Sequence, residues 1–164
     1  FIRDDVWLFQ ALAGAELGVR VFEDDTFLMG AEYYYNEAGQ PDEDLYPWLI
    51  LQQQFRPFYV GRHYGAVYAS LPSPGEWDDM SFTLSTLANL SDWSFLSRFD
   101  YRLTMLTRLQ FFVFGTLQYG SRGEFNLRVE IPPLTAPGVP PELQNGVVVP
   151  AVRGSAGLGF RLDF

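Results

Sequence analysis

The last ten residues read Ser155-Ala-Gly-Leu-Gly-Phe-Arg-Leu-Asp-Phe164. Leu158, Phe160, Leu162 and Phe164 occupy alternate positions, with Gly157, Gly159, Arg161 and Asp163 between them. Side chains of a strand project to opposite faces with period two, so the stretch predicts a strand with one apolar and one polar face.

The same alternation recurs upstream. From Trp7 to Val21 the odd positions are Trp, Phe, Ala, Ala, Ala, Leu, Val and Val, while the even ones include Gln10, Gly14, Glu16, Gly18 and Arg20. After the acidic turn Glu23-Asp24-Asp25, Phe27, Met29, Ala31, Tyr33 and Tyr35 share one face, opposed by Gly30, Glu32 and Tyr34. Further strands are predicted over Tyr59–Leu71, Met80–Leu90, Phe95–Leu103, Leu109–Tyr119 and Val152–Phe164, so about seven are visible. The parity of Leu109–Tyr119 returns at Phe125, Leu127, Val129 and Ile131, which predicts that this strand runs on.

Between the strands, Pro and Gly mark the breaks. Gly39, Pro41, Pro47 and Pro57 punctuate a long loop in which Trp48–Phe55 reads as a short helix or a strand extension. Pro72–Asp79 is a turn region, Ser91-Asp92 a short turn, and Pro132–Pro150 a second long loop.

Composition narrows the class. The chain has no cysteine, which excludes thiol chemistry and disulfides. No apolar run reaches the roughly 18 residues of a membrane-crossing helix. A mean hydropathy of -0.03 remains compatible with membrane-spanning strands, whose two faces average out. Aromatic residues make up 17%, more than a small core needs and enough for an interfacial girdle. All 11 basic residues are Arg, and the net charge of -9 makes nucleic acid an improbable partner. The first residue is Phe1 and no leader-like segment precedes the first strand, so the sequence is expected to be mature, truncated or part of something larger.

Ser155, Gly157, Phe160 and Leu162 fit a pattern of polar, any, Gly, any, any, aromatic, any, hydrophobic, closed by Phe164. In this the chain resembles the carboxy-terminal part of a Gram-negative outer-membrane β-barrel protein of the porin-like class. The resemblance implies an all-β, antiparallel transmembrane β-barrel located in the outer membrane, in contact with lipid and lipopolysaccharide. It also implies that Gly157, Phe160, Leu162 and Phe164 are read by the barrel-assembly machinery.

Single-chain bacterial barrels have even strand numbers, and an open edge in lipid leaves backbone groups unpaired. The expectation is therefore that residues 1–164 form one unit, the carboxy-terminal portion of a larger even-stranded barrel completed by another chain or segment. Long loops at Asp42 and Pro137 are expected outside, and the turns at Asp24, Pro74 and Met105 on the periplasmic side. Trp7, Tyr33, Tyr35, Trp93 and Tyr119 would form the outer aromatic belt, and Phe22, Phe27, Phe160 and Phe164 the inner one.

On the polar faces the alternation collects Arg20, Arg98, Arg102, Arg108, Arg153 and Arg161 with Glu16, Glu32, Asp100 and Asp163. These are the expected lumen-lining residues. They either bias an aqueous lumen toward anions or fill it with ion pairs. The function that follows is a porin-like channel or passive transporter for small polar solutes. The alternative is a plugged structural barrel that scaffolds or binds partner proteins, with the Pro132–Pro150 loop folded inward.

Enzymatic activity, cofactors and a metal are not expected. The lone His63 could in principle serve Ser70, Ser81 or Ser85 with Asp78 or Asp79, as in barrel lipases, but no spacing selects such a set. The acidic runs Asp42-Glu43-Asp44 and Glu23-Asp24-Asp25 lack calcium-loop spacing and read as solvated turns.

Overall fold

The computed structural model describes residues 7–21, 25–74, 79–105, 108–131 and 146–162. Six strands in chain order are β1 (Gln10–Arg20), β2 (Thr26–Asn36), β3 (His63–Pro72), β4 (Met80–Asn89), β5 (Ser94–Met105) and β6 (Leu109–Gly120). Two short strands follow, β7 (Val129–Ile131) and β8 (Val147–Val149), and then β9 (Gly154–Leu162). The main sheet has seven strands in the order β1-β2-β3-β4-β5-β6-β9, and every neighbouring pair is antiparallel. The sheet is open, with β1 and β9 at its edges. The seven strands read from alternation are the seven of this sheet.

Register carries the two faces across all seven strands. One row on the polar face runs Glu16, Gly30, Tyr68, Ser85, Arg98, Thr116, Ser155. On the other face Ala15, Ala31, Val67, Thr86, Ser97, Leu117 and Gly154 form the neighbouring row, amid Leu17, Met29, Leu84, Phe99, Val113 and Leu158. A slip of one residue in any strand would exchange the faces, so the hydrophobic pattern fixes the pairing.

The continuation of β6 to Ile131 does not form. Gly120 takes a φ of +100°, a left-handed conformation that ends the strand, and Ser121 N–H turns back to the Trp93 carbonyl at 3.0 Å. Residues 121–126 make a bend, and Val129–Ile131 pairs with Val147–Val149 in a separate ribbon. Val147–Val149 lies within what was predicted as a Pro-rich loop; residues 132–145 lie outside the described residues. The ambiguous Trp48–Phe55 segment begins within a helix, α1 (Tyr46–Leu51), preceded by a 3-10 turn over Glu43–Leu45. Asp42 caps that turn by accepting from the Asp44 N–H at 3.0 Å, which is the local use of the acidic run.

Burial is concentrated at one end of the sheet. Among the described residues the buried apolar ones are Tyr46, Val60, Tyr64, Ala88 and Phe125, all at the end of the sheet that carries the 37–62 and 121–131 segments. These segments lie over the polar face: Tyr59 packs edge-on to Tyr34, and Phe58 against Phe125. The apolar face is left open, with Leu158 74% and Phe160 73% exposed at the β9 edge and Val67 54% at the middle of the sheet.

Candidate functional site: the polar face and its cap

Five strands bring polar-face residues to one hollow of about 600 Å³, lined by Ser70, Thr83, Arg98, Asp100, Arg102 and Arg161 among others. Arg98 and Asp100 stand two residues apart on the same face of β5, within reach of each other. Their contact is bidentate: Nε and Nη2 of Arg98 donate to the two oxygens of Asp100 at 2.7 and 2.6 Å. The guanidinium also lies 4.8 Å from the Phe114 ring centroid, a cation–π contact on the next strand. Arg98 is thus held in place, and an exposed pair of this kind contributes more to geometry than to stability.

The remaining charges fall at three levels. Glu16 accepts from the Tyr68 hydroxyl across Gly30, whose missing side chain leaves room for the ring. Glu32 stands opposite Ala66 and Gly14, away from the arginines. Arg20 ends β1 beside the turn, Arg108 precedes β6, and Arg161 pairs in register with Gln110 at the same end. Arg153 lies at the opposite end, just before β9. The expected lumen row is therefore one face, but only Arg98, Asp100, Arg102 and Arg161 converge on one space. Asp163 lies outside the described residues.

Where the long segments cover the polar face, a buried polar network holds them. Tyr34, Tyr64, Asn89, Ser94 and Gly120 form one cross-strand row. Asp92, in the turn between β4 and β5, accepts through Oδ2 from the Tyr46 hydroxyl at 2.9 Å, Asn89 Nδ2 at 3.0 Å and Glu124 N–H at 2.8 Å. Its Oδ1 accepts from the Ser94 N–H and hydroxyl at 2.9 and 2.6 Å. Glu124 accepts from the Tyr64 hydroxyl at 2.6 Å, from Asn89 Nδ2 at 3.0 Å and from the Phe58 N–H. Ser94 Oγ in turn accepts from the Phe125 N–H at 3.1 Å.

Asp92 and Glu124 are 3% and 8% exposed, so each carboxylate depends on these donors rather than on water. Burial raises the Glu124 carboxyl above the ordinary 4.5, against the lowering effect of its hydrogen bonds, and nearby Asp92 adds to the rise. The Tyr46 phenol is raised as well, first by burial and then by Asp92. Both effects favour the protonated form of the group concerned.

No family model, curated protein or solved structure matches the chain. Its reading therefore rests on this geometry.

The terminal-strand residues divide by face. Phe160 and Leu162 lie on the open apolar face. Gly157 and Gly159 lie on the polar face under the Phe114 and Phe112 rings, where an added Cβ would run into either ring. These glycines fit the sheet itself; Phe164 lies outside the described residues. His63 and Ser70 are on opposite faces of β3. The ring of His63 meets the Tyr33 hydroxyl through Nδ1 at 2.6 Å, while the Ser70 hydroxyl meets Thr83 at 3.0 Å. Among the described residues the His63 ring is not paired with Ser70, Ser81 or Ser85, and Asp78 lies outside the described residues. Among the described residues no group of three or more His, Asp or Glu side chains could hold a metal ion.

The cap was not legible in the sequence. Asp92 read only as part of a short turn, and Glu124 was not singled out. Tyr46 to Asp92 and Tyr64 to Glu124 span 46 and 60 residues, distances that no local pattern bridges.

Proposed function

We propose that the chain forms a wall of a transmembrane β-barrel in the outer membrane of a Gram-negative bacterium, and that this barrel is a porin-like channel or passive transporter for small polar solutes. The single observation that carries the reading is the bare apolar face, set against a polar face that holds the buried contacts. In water an uncovered apolar surface of this extent is unfavourable; in lipid it is the expected exterior.

Strand length supports the same reading. The seven strands have 11, 11, 10, 10, 12, 12 and 9 residues, close to the roughly 9–11 that cross a bilayer. Aromatics mark the loop end of the apolar face: Phe9 near Tyr35, Tyr33 and Tyr35 near His63, and Phe95 stacked on Tyr119 at 5.2 Å. Trp93 is exposed in the adjoining turn. Amphipathic rings of this kind favour a membrane–water boundary.

The edges say what closure requires. Six antiparallel steps separate β1 from β9, so the two edge strands run in the same direction. An all-antiparallel barrel then takes an odd number of additional strands, from another segment or chain. Lipid makes closure necessary, because each unpaired backbone group there costs several kcal/mol.

The cap favours a narrowed rather than a freely open lumen, since Tyr46, Phe58 and Glu124 lie over the polar face. That observation keeps the plugged, partner-binding barrel as the second reading. Planar-bilayer recording of the protein in its native assembly separates the two. Stepwise conductance that loses anion preference in Arg102→Ala supports the channel. Inserted protein that stays electrically silent supports the plugged barrel and removes the channel.

A further inference from the structure

The hollow of about 600 Å³ around Arg98 lies at the end of the sheet away from the cap, and its wall changes character from strand to strand. Register sets the order. Ser70 of β3 stands beside Thr83 of β4, Thr83 beside Asp100 of β5, Asp100 beside Phe114 of β6, and Phe114 beside Gly157 of β9. Two residues nearer the turns, Ser81, Arg102, Phe112 and Gly159 form the next row on the same face. Hydroxyls therefore line one flank, charged groups the middle and aromatic rings the other flank. We propose that this hollow is a binding site for a neutral pyranose sugar. The inference names a solute class for the channel reading and rests on that reading for the passage of the sugar.

The middle of the wall offers a donor and an acceptor side by side. Arg98 gives its Nε and Nη2 donors to the two Asp100 oxygens at 2.7 and 2.6 Å, and the pair is further seated on the Phe114 ring. A guanidinium has five N–H donors and a carboxylate about four acceptor sites, so the pair keeps capacity of both kinds. Both side chains stay within reach of a solute, 47% and 40% exposed. A sugar hydroxyl donates and accepts at once, and vicinal hydroxyls of a pyranose match such a fixed pair. A phosphate or carboxylate only accepts, and it would meet the Asp100 charge beside Arg98. On the next strands the Ser70 and Thr83 hydroxyls, 3.0 Å apart, add groups that also work in both directions.

Phe112 supplies the stacking surface. The alternation of β6 puts this ring on the polar face, between Arg102 and Gly159, yet it is 39% exposed. Gly159 sets its posture: a Cβ added there would come within 2.4 Å of the ring's Cζ, so the ring lies along the β9 backbone. A ring seated in this way gives the hollow a flat apolar patch, on which the C–H face of a pyranose can lie. Neighbouring strands stand about 4.8 Å apart, so the hydroxyls of β4 are about 10 Å from the rings of β6. A sugar on Phe112 thus brings its hydroxyls over the Arg98–Asp100 pair and toward Thr83. The volume falls in the range of about 300–1,000 Å³ of small-molecule sites. The hollow is on the side of the sheet opposite the bare apolar face, so its sugar comes from solution rather than from the carbohydrate of a membrane lipid.

The test is saturation-transfer NMR on the protein in its native assembly, held in deuterated zwitterionic detergent. Maltose, lactose and cellobiose are the neutral pyranose probes, sorbitol is the acyclic polyol control and glucuronate the charged arm. Saturable binding of at least one of the three disaccharides is expected, with saturation strongest on the C–H protons of one ring face and little dependence on salt. Phe112→Leu, which keeps apolar bulk but no ring, should weaken it about tenfold. Phe112→Tyr should retain it, and Phe99→Ala, an exposed ring on the opposite face, should leave it unchanged. The proposal is overturned if none of the disaccharides binds, if sorbitol binds as well as they do, if glucuronate alone binds, or if Phe112→Leu binds like the wild type. Planar-bilayer recording separates this outcome from the channel reading. Protein that conducts but binds no disaccharide sinks the sugar site and leaves the channel; protein that binds one but stays silent keeps the site and removes the channel.

Discussion

The Tyr64 hydroxyl donates to a carboxylate oxygen of Glu124 at 2.6 Å, joining β3 to a segment 60 residues further along the chain. Both residues are buried, and the same phenolic oxygen accepts from the Gly61 N–H at 2.7 Å. One side chain therefore ties the end of the long β2–β3 segment to the bend after β6. The cap behaves as a unit because its groups share partners, so its members are not independent in energy.

Asp92 is the most connected member. In Asp92→Ala the Tyr46 hydroxyl and the Ser94 and Glu124 N–H groups lose their acceptor and the Asn89 amide loses one of two, and buried donors without partners are costly. A loss on the order of 3 kcal/mol or more is expected. Urea unfolding of the purified chain measures it; a change within about 0.5 kcal/mol, as at an ordinary surface site, would refute the network's role.

Glu124 sets a pH dependence of definite sign. Its carboxyl is raised above the ordinary 4.5 in the folded state, chiefly by burial, so the folded chain binds the proton more tightly than the unfolded one. The resulting contribution is complete below 4.5 and is lost as pH rises through the higher folded value. Thermal unfolding between mildly acid and neutral pH should show wild type losing stability relative to Glu124→Gln as pH rises. Parallel profiles for the two proteins would show that Glu124 does not titrate in this way.

On the apolar face Val67→Arg places a charge at mid-sheet, while Thr83→Arg places one in the hollow on the polar face. If the first face meets lipid, Val67→Arg costs about 2–4 kcal/mol in bilayer vesicles and Thr83→Arg far less. In water an exposed valine replaced by arginine changes little. Equal, small effects in vesicles would sink the membrane reading.

Gly157→Val tests the fit of β9 to β6. The valine would strike the Phe114 ring, which also carries Arg98 on its face. Overpacking of about 1–3 kcal/mol is expected, together with a change in the salt dependence of conductance as Arg98 loses its seat. Ser155→Val, two residues away on the same face, serves as the comparison; identical behaviour of the two variants would contradict the ring contact.

The alternation of Leu158, Phe160 and Leu162 against Gly157, Gly159 and Arg161 was enough to place the strands, their faces and the polar residues that share a side. Periodicity is a local property, and antiparallel neighbours joined in sequence inherit it. The exceptions came where local geometry overrode the pattern: Phe125 to Ile131 keep the parity of β6, yet Gly120 turns the chain before they can extend it. Arg98 and Asp100 were legible as charges on one face because they stand two residues apart on one strand, while their pairing came from the structure.

What the tertiary structure alone decided is where the long segments go and which charges meet. Tyr46, Asp92 and Glu124 come from separate connections, and a buried carboxylate is stable only where several donors arrive together. That arrival brings the cap onto the polar face and leaves the apolar face bare. It also gathers Arg122, Arg128 and Arg153 from both sides of the β7–β8 ribbon. Strand faces follow from the order of residues along one segment; this convergence depends on contacts between segments that the order of residues does not contain.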